Sequence, residues 1–282
     1  MKKKKFIDTN LKNKSKTVEE NLQFISYQGK TLPLPTEIEI SESGTCNRKC
    51  SFCPRSDPNY EDKKEFIDNK LHEKMCFELK KFNYKGTIRY SGFVEPLLDK
   101  NIFNLINMAR SNIAECNIEL VTNGDPLNLV RLKKLFSSGL NKILISAYDG
   151  KEETKKLEEL CVKANLNEDQ YIIRHRYLPE DQDFGITLSN RAGSMQNAEY
   201  KIKNLKNPLK NPCYIPSYTF FLDYQGDVLM CPHDWNKKVI LGNLNKNKLI
   251  DIWFSKKSMR IRKILNNSNR NFSPCNVCDV DG

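Results

Sequence analysis

The chain lacks the segments that would direct a protein into or across a membrane. No run of apolar residues approaches the roughly 18 that a membrane-spanning helix needs. The basic start, "MKKKKFIDTNLKNKSK", is not followed by the apolar segment of a secretory signal. We therefore expect a soluble protein of the cytoplasm with no membrane partner.

Histidine is scarce, which limits the metal sites that the chain can build. His72, His175 and His233 are the only three, and none stands at a convincing ligand spacing. Cysteine is abundant by contrast, with ten residues. Because reducing compartments keep thiols free, a disulfide framework is not expected, and metal binding becomes the leading interpretation.

The net charge of +11 favours anionic partners such as phosphorylated metabolites. Much of the excess lies in Lys-rich stretches such as Lys2 to Lys5 and "KIKNLKNPLK". Charge runs of this kind are more often solvated surface than binding sites, so the charge alone indicates little about function.

Apolar patterns predict strands that alternate with helices. Helices are predicted over "DNKLHEKMCFELKKF", "NIFNLINMAR", "NLVRLKKLFSSG" and "KEETKKLEELCVKA", the first capped by Asp68. The predicted strands are "TEIEIS", "GTIRYSG", "NIELVTNG", "KILISAYDG", "YIIRHRYLP" and "FGITLS". Such alternation indicates βαβ units and a parallel sheet. The fold class is therefore α/β, and six strands suit a partial (β/α)6 barrel of the TIM type.

Three segments follow from these patterns. Residues 1–36 read as a polar amino-terminal extension and 37–205 as the partial barrel. Residues 206–282 read as a second, smaller unit, with a hairpin over "YTFFLDYQGDVLMC" that turns at Gly226 and one amphipathic helix over "KLIDIWFSKKSMRIRKIL".

Three cysteines, Cys76, Cys116 and Cys161, stand singly in amphipathic or strand-flanking sequence, where free cysteine commonly acts as a small buried hydrophobe. The other seven form two groups. The first is the CxxxCxxC of Cys46, Cys50 and Cys53, directly after the first predicted strand of the barrel.

Three thiolates on one loop can hold three irons of a cubane cluster and leave the fourth iron open. Zinc is the alternative, but a structural zinc site needs a fourth ligand from elsewhere in the chain. Active sites of barrel folds lie at the carboxyl ends of the strands, which is where this loop begins.

With Phe52 before its last cysteine, this motif resembles that of the radical S-adenosylmethionine (radical SAM) superfamily. The resemblance implies that Cys46, Cys50 and Cys53 bind a catalytic [4Fe–4S] cluster and that the cluster binds SAM. Further positions match residues that line the SAM site in the family. They are Phe52 in the cysteine motif, Gly92 and Glu95 in "YSGFVEPLL", Asn123 in "VTNG", and Ser146, Arg174 and Arg176 on later strands.

Two of these matches imply contacts with SAM itself. The resemblance places Glu95 near the amino group of the SAM methionine. It also implies that one of the two arginines, Arg174 or Arg176, binds the SAM carboxylate. Arg174 and Arg176 are two residues apart on a strand, so both should point the same way. Arg191, in the loop after the sixth predicted strand, is a weaker functional candidate.

The second group comprises Cys213, Cys231, Cys275 and Cys278. Four thiolates suffice either for a fully ligated [4Fe–4S] cluster or for a zinc site with four cysteine ligands. The Cys-x12-Gly-x4-Cys spacing with a later CxxC is similar to the SPASM and Twitch modules of radical SAM enzymes. Because few residues follow Cys278, it resembles the shorter Twitch form with one auxiliary [4Fe–4S] cluster.

This resemblance implies an oxidoreductase that cleaves SAM to a 5′-deoxyadenosyl radical and removes a substrate hydrogen. An electron then passes to the auxiliary cluster. It further implies a small-molecule substrate, a sugar or aminocyclitol alcohol that is oxidised to a ketone, and a reductant such as flavodoxin or ferredoxin.

Two alternatives remain open at this point. The first keeps the radical chemistry but modifies a peptide or protein side chain, as many SPASM enzymes do. The second is a zinc-stabilised, basic protein that binds nucleic acid, supported by the net charge and the four distal cysteines. It leaves CxxxCxxC unexplained, and the aromatic and basic signatures of RNA binders are not evident, so we do not expect a nucleic-acid partner.

Overall fold

The computed structural model describes residues 19, 21–182, 184–197 and 199–282. Most of the predicted amino-terminal extension lies outside this range. Its described part contains a hairpin that the sequence did not predict, formed by strands β1 (Phe24–Tyr27) and β2 (Lys30–Pro33). Within the described ranges, no helix has the length and apolar character that crossing a bilayer requires.

The segment from residue 37 to residue 175 alternates strands with helices, as predicted. Its strands are β3 (Glu37–Ser41), β4 (Ser43–Gly44), β5 (Lys63–Phe66), β6 (Thr87–Tyr90), β7 (Asn117–Thr122), β8 (Lys142–Ala147) and β9 (Tyr171–His175). Its helices are α1 (Asn69–Lys80), α2 (Ile102–Asn112), α3 (Leu129–Ser137) and α4 (Lys151–Lys163). Strands β3, β6, β7, β8 and β9 are parallel neighbours in that order, which confirms the α/β class.

Local sequence fixes where several helices begin. The Asp68 carboxylate accepts hydrogen bonds from the backbone N–H groups of Lys70 and Leu71, and Asn128 caps α3 by accepting from Arg131 N. These caps satisfy donors that the first turn of a helix leaves without intrahelical partners. The apolar faces of the four helices then pack against one side of the sheet.

Alternation along each strand separates a packed face from an open one. Ile38 and Ile40 on β3, and Ile88 on β6, are fully buried in the main hydrophobic core. Their strand neighbours Glu39 and Arg89 point to the other side and line a cavity. The helices therefore cover one face of the sheet, while the other face carries polar and charged groups.

The carboxyl-terminal region adds three strands and three helices. They are β10 (Thr219–Asp223), β11 (Asp227–Leu229), β12 (Ile240–Asn243), α5 (Ile215–Tyr218), α6 (Leu249–Trp253) and α7 (Lys256–Asn266). The predicted hairpin is present as β10 and β11, and Gly226 adopts a φ of +86° at its turn. A positive φ of this size suits glycine because it has no Cβ.

The hairpin belongs to the barrel sheet rather than to a separate one. Strand β10 pairs in parallel with β3, from Thr219 opposite Glu37 to Asp223 opposite Ser41. The sheet therefore has the order β12, β11, β10, β3, β6, β7, β8, β9 within the described residues. The sixth parallel strand is β10, and the prediction of a sixth strand at "FGITLS" is wrong.

The "FGITLS" segment, residues 184–189, folds back as a loop. Ile186 N donates to Leu178 O at 3.0 Å, and Leu188 N donates to the Glu180 carboxylate at 2.9 Å. The Arg176 side chain donates to Gly185 O at 2.6 Å. These contacts occupy backbone N–H and C=O groups that a strand in this segment would use to pair with β9.

The single helix predicted over residues 248–265 is two helices. Helix α6 ends at Trp253, whose indole N–H donates to Pro33 O at 2.9 Å. Ser255 then begins α7 by accepting a hydrogen bond from Ser258 N at 3.1 Å. A serine cap inside an apolar pattern allowed the chain to turn and to pack two short helices instead of one.

Candidate active site at the carboxyl ends of the strands

A cavity of about 1070 Å³ opens at the carboxyl ends of the parallel strands. Every site residue predicted for the barrel lines it. They are Cys46, Cys50, Phe52, Cys53, Gly92, Glu95, Asn123, Ser146, Arg174 and Arg176. The structure thus gathers on one surface residues that come from five strands and the loops after them.

The first three cysteines lie close together on the loop that follows β3. Cys53 N donates to Cys50 O at 2.9 Å, which closes a tight turn between the last two thiols. Burial, with repulsion from the neighbouring Cys53 and Cys46, raises the pKa of the Cys50 thiol to about 11. The three thiols are therefore near enough to repel one another as thiolates, and a cationic metal group would relieve that repulsion.

Arg48, inside the motif, attaches this loop to the loops after β7 and β8. Its guanidinium bonds both carboxylate oxygens of Asp125, with Nε–Oδ2 at 2.7 Å and Nη2–Oδ1 at 2.5 Å. It also reaches Asp149 at 2.8 Å and lies 5.1 Å from the centre of the Tyr148 ring. Bidentate contacts of this kind fix orientation as well as adding energy. Arg48 thereby orients the cysteine loop relative to the sheet.

Two more contacts hold the loop against the sheet. The Asn123 side chain donates to Asn47 Oδ1 at 2.8 Å, and its amide nitrogen lies 3.9 Å from Cys46 Sγ. The Phe52 ring stacks on Tyr148 with ring centres 5.7 Å apart. Phe52 and Asn123 thus contribute to the wall of the cavity and also position the thiols.

Glu95 is almost fully buried beside the cavity, with three donors on its carboxylate. Oε1 accepts from Thr122 Oγ1 at 2.6 Å and from Leu97 N at 3.0 Å, and Oε2 accepts from Asn123 N at 2.7 Å. Burial raises the pKa of the Glu95 carboxyl to about 7, although these hydrogen bonds oppose the rise. A buried acid that titrates near neutrality is typical of a functional site.

Gly92 occupies a position that suits only glycine. Its φ is +97°, and a Cβ there would lie 3.0 Å from the Phe221 ring and 3.1 Å from Ser41 Cβ. The loop after β6 can therefore pass close to β3 and β10. This close approach places Glu95 three residues later at the cavity wall.

The two predicted arginines line the cavity but have different partners. Arg174 Nη2 donates to Ser146 Oγ at 2.7 Å, and these two residues are opposite each other in the pairing of β8 with β9. Arg176 Nη1 donates to Gly185 O at 2.6 Å and to Thr187 Oγ1 at 2.7 Å. Arg174 is thus joined to the strand ends, and Arg176 holds the loop over residues 184–189.

The second group of cysteines surrounds a smaller, apolar pocket. Cys213, Cys231, Cys275 and Cys278 line it together with Arg270. Burial, with repulsion from neighbouring thiolates, raises the pKa of Cys275 to about 12. It raises the pKa of Cys278 to about 11, again with burial as the main cause. The four thiols therefore line one pocket.

The two pockets adjoin each other, since Ile215 and Val280 line both. Arg191 and His233 lie near this junction, with Arg191 Nη1 3.4 Å from His233 Nδ1. Both line the large cavity, as does Trp235, whose ring centre lies 4.4 Å from that of Phe93. His233 and Trp235 were not predicted as site residues; their place two and four residues after Cys231 was the available signal.

The residues present fit two iron–sulfur clusters. The first set offers three thiols at the wall of a large cavity, which leaves one iron of a cubane cluster accessible. The second set offers four thiols in a closed apolar pocket, which matches a fully ligated cluster. The three remaining cysteines, Cys76, Cys116 and Cys161, are buried in the main core, as predicted.

Comparison with known proteins agrees with this division. The sequence profile of the radical SAM superfamily matches residues 40–171, and that of the SPASM iron-sulfur cluster-binding domain matches residues 213–279. One curated relative is the S-adenosyl-L-methionine-dependent 2-deoxy-scyllo-inosamine dehydrogenase of Niallia circulans. It is 28% identical over 244 residues, which are 86% of this chain and 92% of the relative.

Solved structures give the same result. The crystal structure of BtrN in complex with AdoMet and 2-DOIA matches with a TM-score of 0.74 and 27% identity, over 88% of this chain and 94% of BtrN. Native anSMEcpe with bound AdoMet and Kp18Cys peptide matches with a TM-score of 0.57 at 14% identity, over 82% and 83% of the two chains, and shares the fold. The chain therefore carries a radical SAM domain over residues 40–171 and an auxiliary iron–sulfur cluster-binding domain of the SPASM class over residues 213–279.

Proposed function

We propose that this protein oxidises a secondary alcohol of a small polyol, an aminocyclitol or a related sugar, to a ketone. The observation that carries the proposal is the contact between the two pockets, because the four-thiol pocket shares Ile215 and Val280 with the cavity of the other three. An electron acceptor held there would lie next to the substrate. The relative from Niallia circulans is named for a dehydrogenase of this kind.

Oxidation of an alcohol carbon to a ketone removes one hydrogen atom, one proton and one electron. When bound at Cys46, Cys50 and Cys53, the first cluster and SAM supply the radical that takes the hydrogen atom, and the auxiliary cluster takes the electron. The chain's own residues must bind the substrate, exclude water and receive the proton. The cavity wall offers groups for each of these tasks.

Arg191 and His233 are the groups that we assign to the substrate hydroxyl. They lie 3.4 Å apart at the junction of the two pockets, and Arg191 comes near enough to the first cysteine loop to lower the pKa of Cys53. The Arg191 backbone adopts a φ of +47°, which is uncommon for a residue with a Cβ and is often found at functional sites. Trp235, which packs on the buried Phe93 ring, gives the cavity wall an apolar part that helps to exclude water.

We assign the SAM contacts to Glu95 and Arg174. The Glu95 carboxylate suits the SAM amino group, and Arg174 suits the SAM carboxylate because Arg176 already holds the loop of residues 184–189. Gly92, Asn123 and Ser146 shape the same wall. We also propose a small acidic flavoprotein or ferredoxin as the reductant, which the excess of basic residues would favour, and the cytoplasm as the compartment.

The test uses protein reconstituted with iron and sulfide under anaerobic conditions and then reduced. With SAM and 2-deoxy-scyllo-inosamine or related polyols, we expect 5′-deoxyadenosine and a ketone in proportion, measured by mass spectrometry. A panel of unrelated peptides is the control and should give no substrate-dependent 5′-deoxyadenosine. If no polyol stimulates its formation and a peptide does, the proposed substrate class is wrong.

Glu95→Gln should weaken SAM binding by roughly 10- to 100-fold, because a hydrogen bond to a charged group is worth about 1.5–3 kcal/mol. The carboxylate form is the one that attracts the SAM ammonium. Since the pKa of Glu95 is raised to about 7, affinity in the parent protein should rise as the pH passes upward through about 7, and the variant should lose this dependence. Equilibrium binding of SAM between pH 6 and 8 measures both effects.

The matched control for this prediction is Glu153→Gln, which alters a carboxylate on α4 that is not among the residues lining the cavity. Glu153 accepts from the backbone of Tyr148 and Asp149, so this control also perturbs loop hydrogen bonds near the cavity. Equal loss of affinity in both variants would contradict a specific role of Glu95.

A further inference from the structure

Arg270 is a buried cation at the wall of the four-thiol pocket. The side chain is 2% exposed and follows α7, five residues before Cys275. Its Nε donates to Asn211 O at 3.0 Å, its Nη2 to Pro212 O at 2.9 Å and its Nη1 to Val280 O at 2.7 Å. One guanidinium thus joins the segment that precedes Cys213 to the segment that follows Cys278.

Among the described residues, the hydrogen-bond partners of the Arg270 side chain are all uncharged. All three acceptors are neutral backbone carbonyls, and Arg270 forms no ion pair with any of the residues for which the structure gives positions. Burying a charge is costly unless an opposite charge or strong hydrogen bonds compensate. Carbonyl bonds alone could be made by a neutral side chain, so the retention of a cation needs a further reason.

The four thiols supply that reason. Arg270 lines the same pocket as all four of them, and its guanidinium bonds the carbonyls of Pro212, next to Cys213, and of Val280, two residues after Cys278. Four thiolates around an iron–sulfur core carry a net negative charge, and reduction adds one more electron. A fixed positive charge beside the core stabilises the reduced state more than the oxidised state, and net charge is one of the factors that set the potentials of such clusters.

We propose that Arg270 sets the reduction potential of the auxiliary cluster, raising it so that the cluster accepts an electron. The use of that electron rests on the proposed alcohol oxidation, in which the substrate loses it together with one hydrogen atom and one proton. The potential itself can be measured without any substrate. Arg270 therefore acts through the cluster as a positioning and tuning residue.

Asp234 provides a charge of opposite sign near the same thiols. It is 1% exposed, and its carboxylate accepts hydrogen bonds from Lys238 N at 2.9 Å and Val239 N at 2.8 Å. It lies three residues after Cys231, and its backbone N–H donates to Cys231 O at 3.1 Å. If electrostatics governs the potential, removal of these two charges must shift it in opposite directions.

The experiment uses the full chain with Cys46, Cys50 and Cys53 replaced by alanine, so that only the auxiliary cluster titrates. Redox titration followed by electron paramagnetic resonance gives its midpoint potential. Arg270→Gln keeps hydrogen-bond donors and removes the charge. It should favour the oxidised state by about tenfold or more, a negative shift of about 59 mV for one electron. Arg270→Lys keeps the charge and should stay close to the parent, while Asp234→Asn should shift the potential upward.

Arg262→Gln is the matched control. Arg262 is half-buried and donates to the carbonyls of Pro216 and Trp253, at 2.9 Å and 2.6 Å, but it is not among the residues that line the four-thiol pocket. Its replacement should leave the potential unchanged.

Equal shifts of the potential in Arg270→Gln and Arg270→Lys would overturn the proposal. They would show that Arg270 acts by holding two backbone segments together and not by its positive charge. An unchanged potential in Arg270→Gln with full iron content would do the same. If Arg270→Gln loses its iron, the other two variants decide the question. A midpoint potential that falls or does not change in Asp234→Asn contradicts the proposal. A large negative shift of the potential in Arg270→Lys also contradicts it. None of these results depends on whether the substrate is a polyol.

Discussion

Replacement of Cys46, Cys50 and Cys53 by alanine is expected to abolish SAM cleavage and to remove about four irons per chain. The three thiols lie on one loop and line the large cavity at the carboxyl ends of the strands. Without them, no cysteine remains among the described residues that line this cavity, so its wall has no thiolate to bind iron. Iron and sulfide analysis of reconstituted protein measures the first effect, and 5′-deoxyadenosine formation the second.

The control for this prediction is Cys161→Ala, which removes a buried thiol of α4 that packs in the main core. It should lose some stability but no iron and no SAM cleavage. A triple variant that retained about eight irons per chain, or that still produced 5′-deoxyadenosine, would show that the first cluster is bound elsewhere.

Replacement of Cys275 and Cys278 by alanine should also remove about four irons, but with a different effect on the reaction. The first site remains, so SAM is still cleaved when substrate is present. The ketone formed per 5′-deoxyadenosine should fall by roughly a hundredfold, about 2.7 kcal/mol of barrier, because the substrate radical loses its electron acceptor. Product ratios measured by mass spectrometry in single-turnover reactions test this.

Met230→Leu is the matched control, since Met230 lines the same pocket and the exchange conserves volume. Its iron content and product ratio should stay near those of the parent. An unchanged ratio in the double cysteine variant would mean that the electron leaves by another route and that the four-thiol pocket has only a structural role.

The sequence correctly indicated five of the six parallel strands and the four helices between them. Apolar periodicity set the buried faces of β3, β6, β7 and β8, and caps such as Asp68 set helix starts. Both are local features, so a single sequence carries them. Chain order also determined which loops follow strands, and the carboxyl ends of parallel strands meet at one edge. This is why all ten barrel residues assigned from the sequence line one cavity.

The failures have a different physical origin. The "FGITLS" segment, residues 184–189, has a strand-like composition, yet Arg176 and Glu180 bind its backbone and hold it as a loop. The helix predicted over residues 248–265 breaks because Trp253 packs over the sheet and donates to Pro33 O. In both places a tertiary contact outweighs the local sequence pattern. Strand and helix propensities do not include such contacts, so they cannot predict this outcome.

By itself, the sequence determined the chemistry that the chain can support: three thiols on a loop after a strand, four more in a later module, and βα units that bring the first set to a sheet edge. Only the tertiary structure decided that β10 pairs with β3 and so brings the second set against the same cavity. It also placed Arg191 beside His233 and buried Arg270 among the four thiols. These contacts join residues that are far apart in the chain. Backbone groups are the same in every strand, so the local sequence does not specify which strand a given strand will pair with.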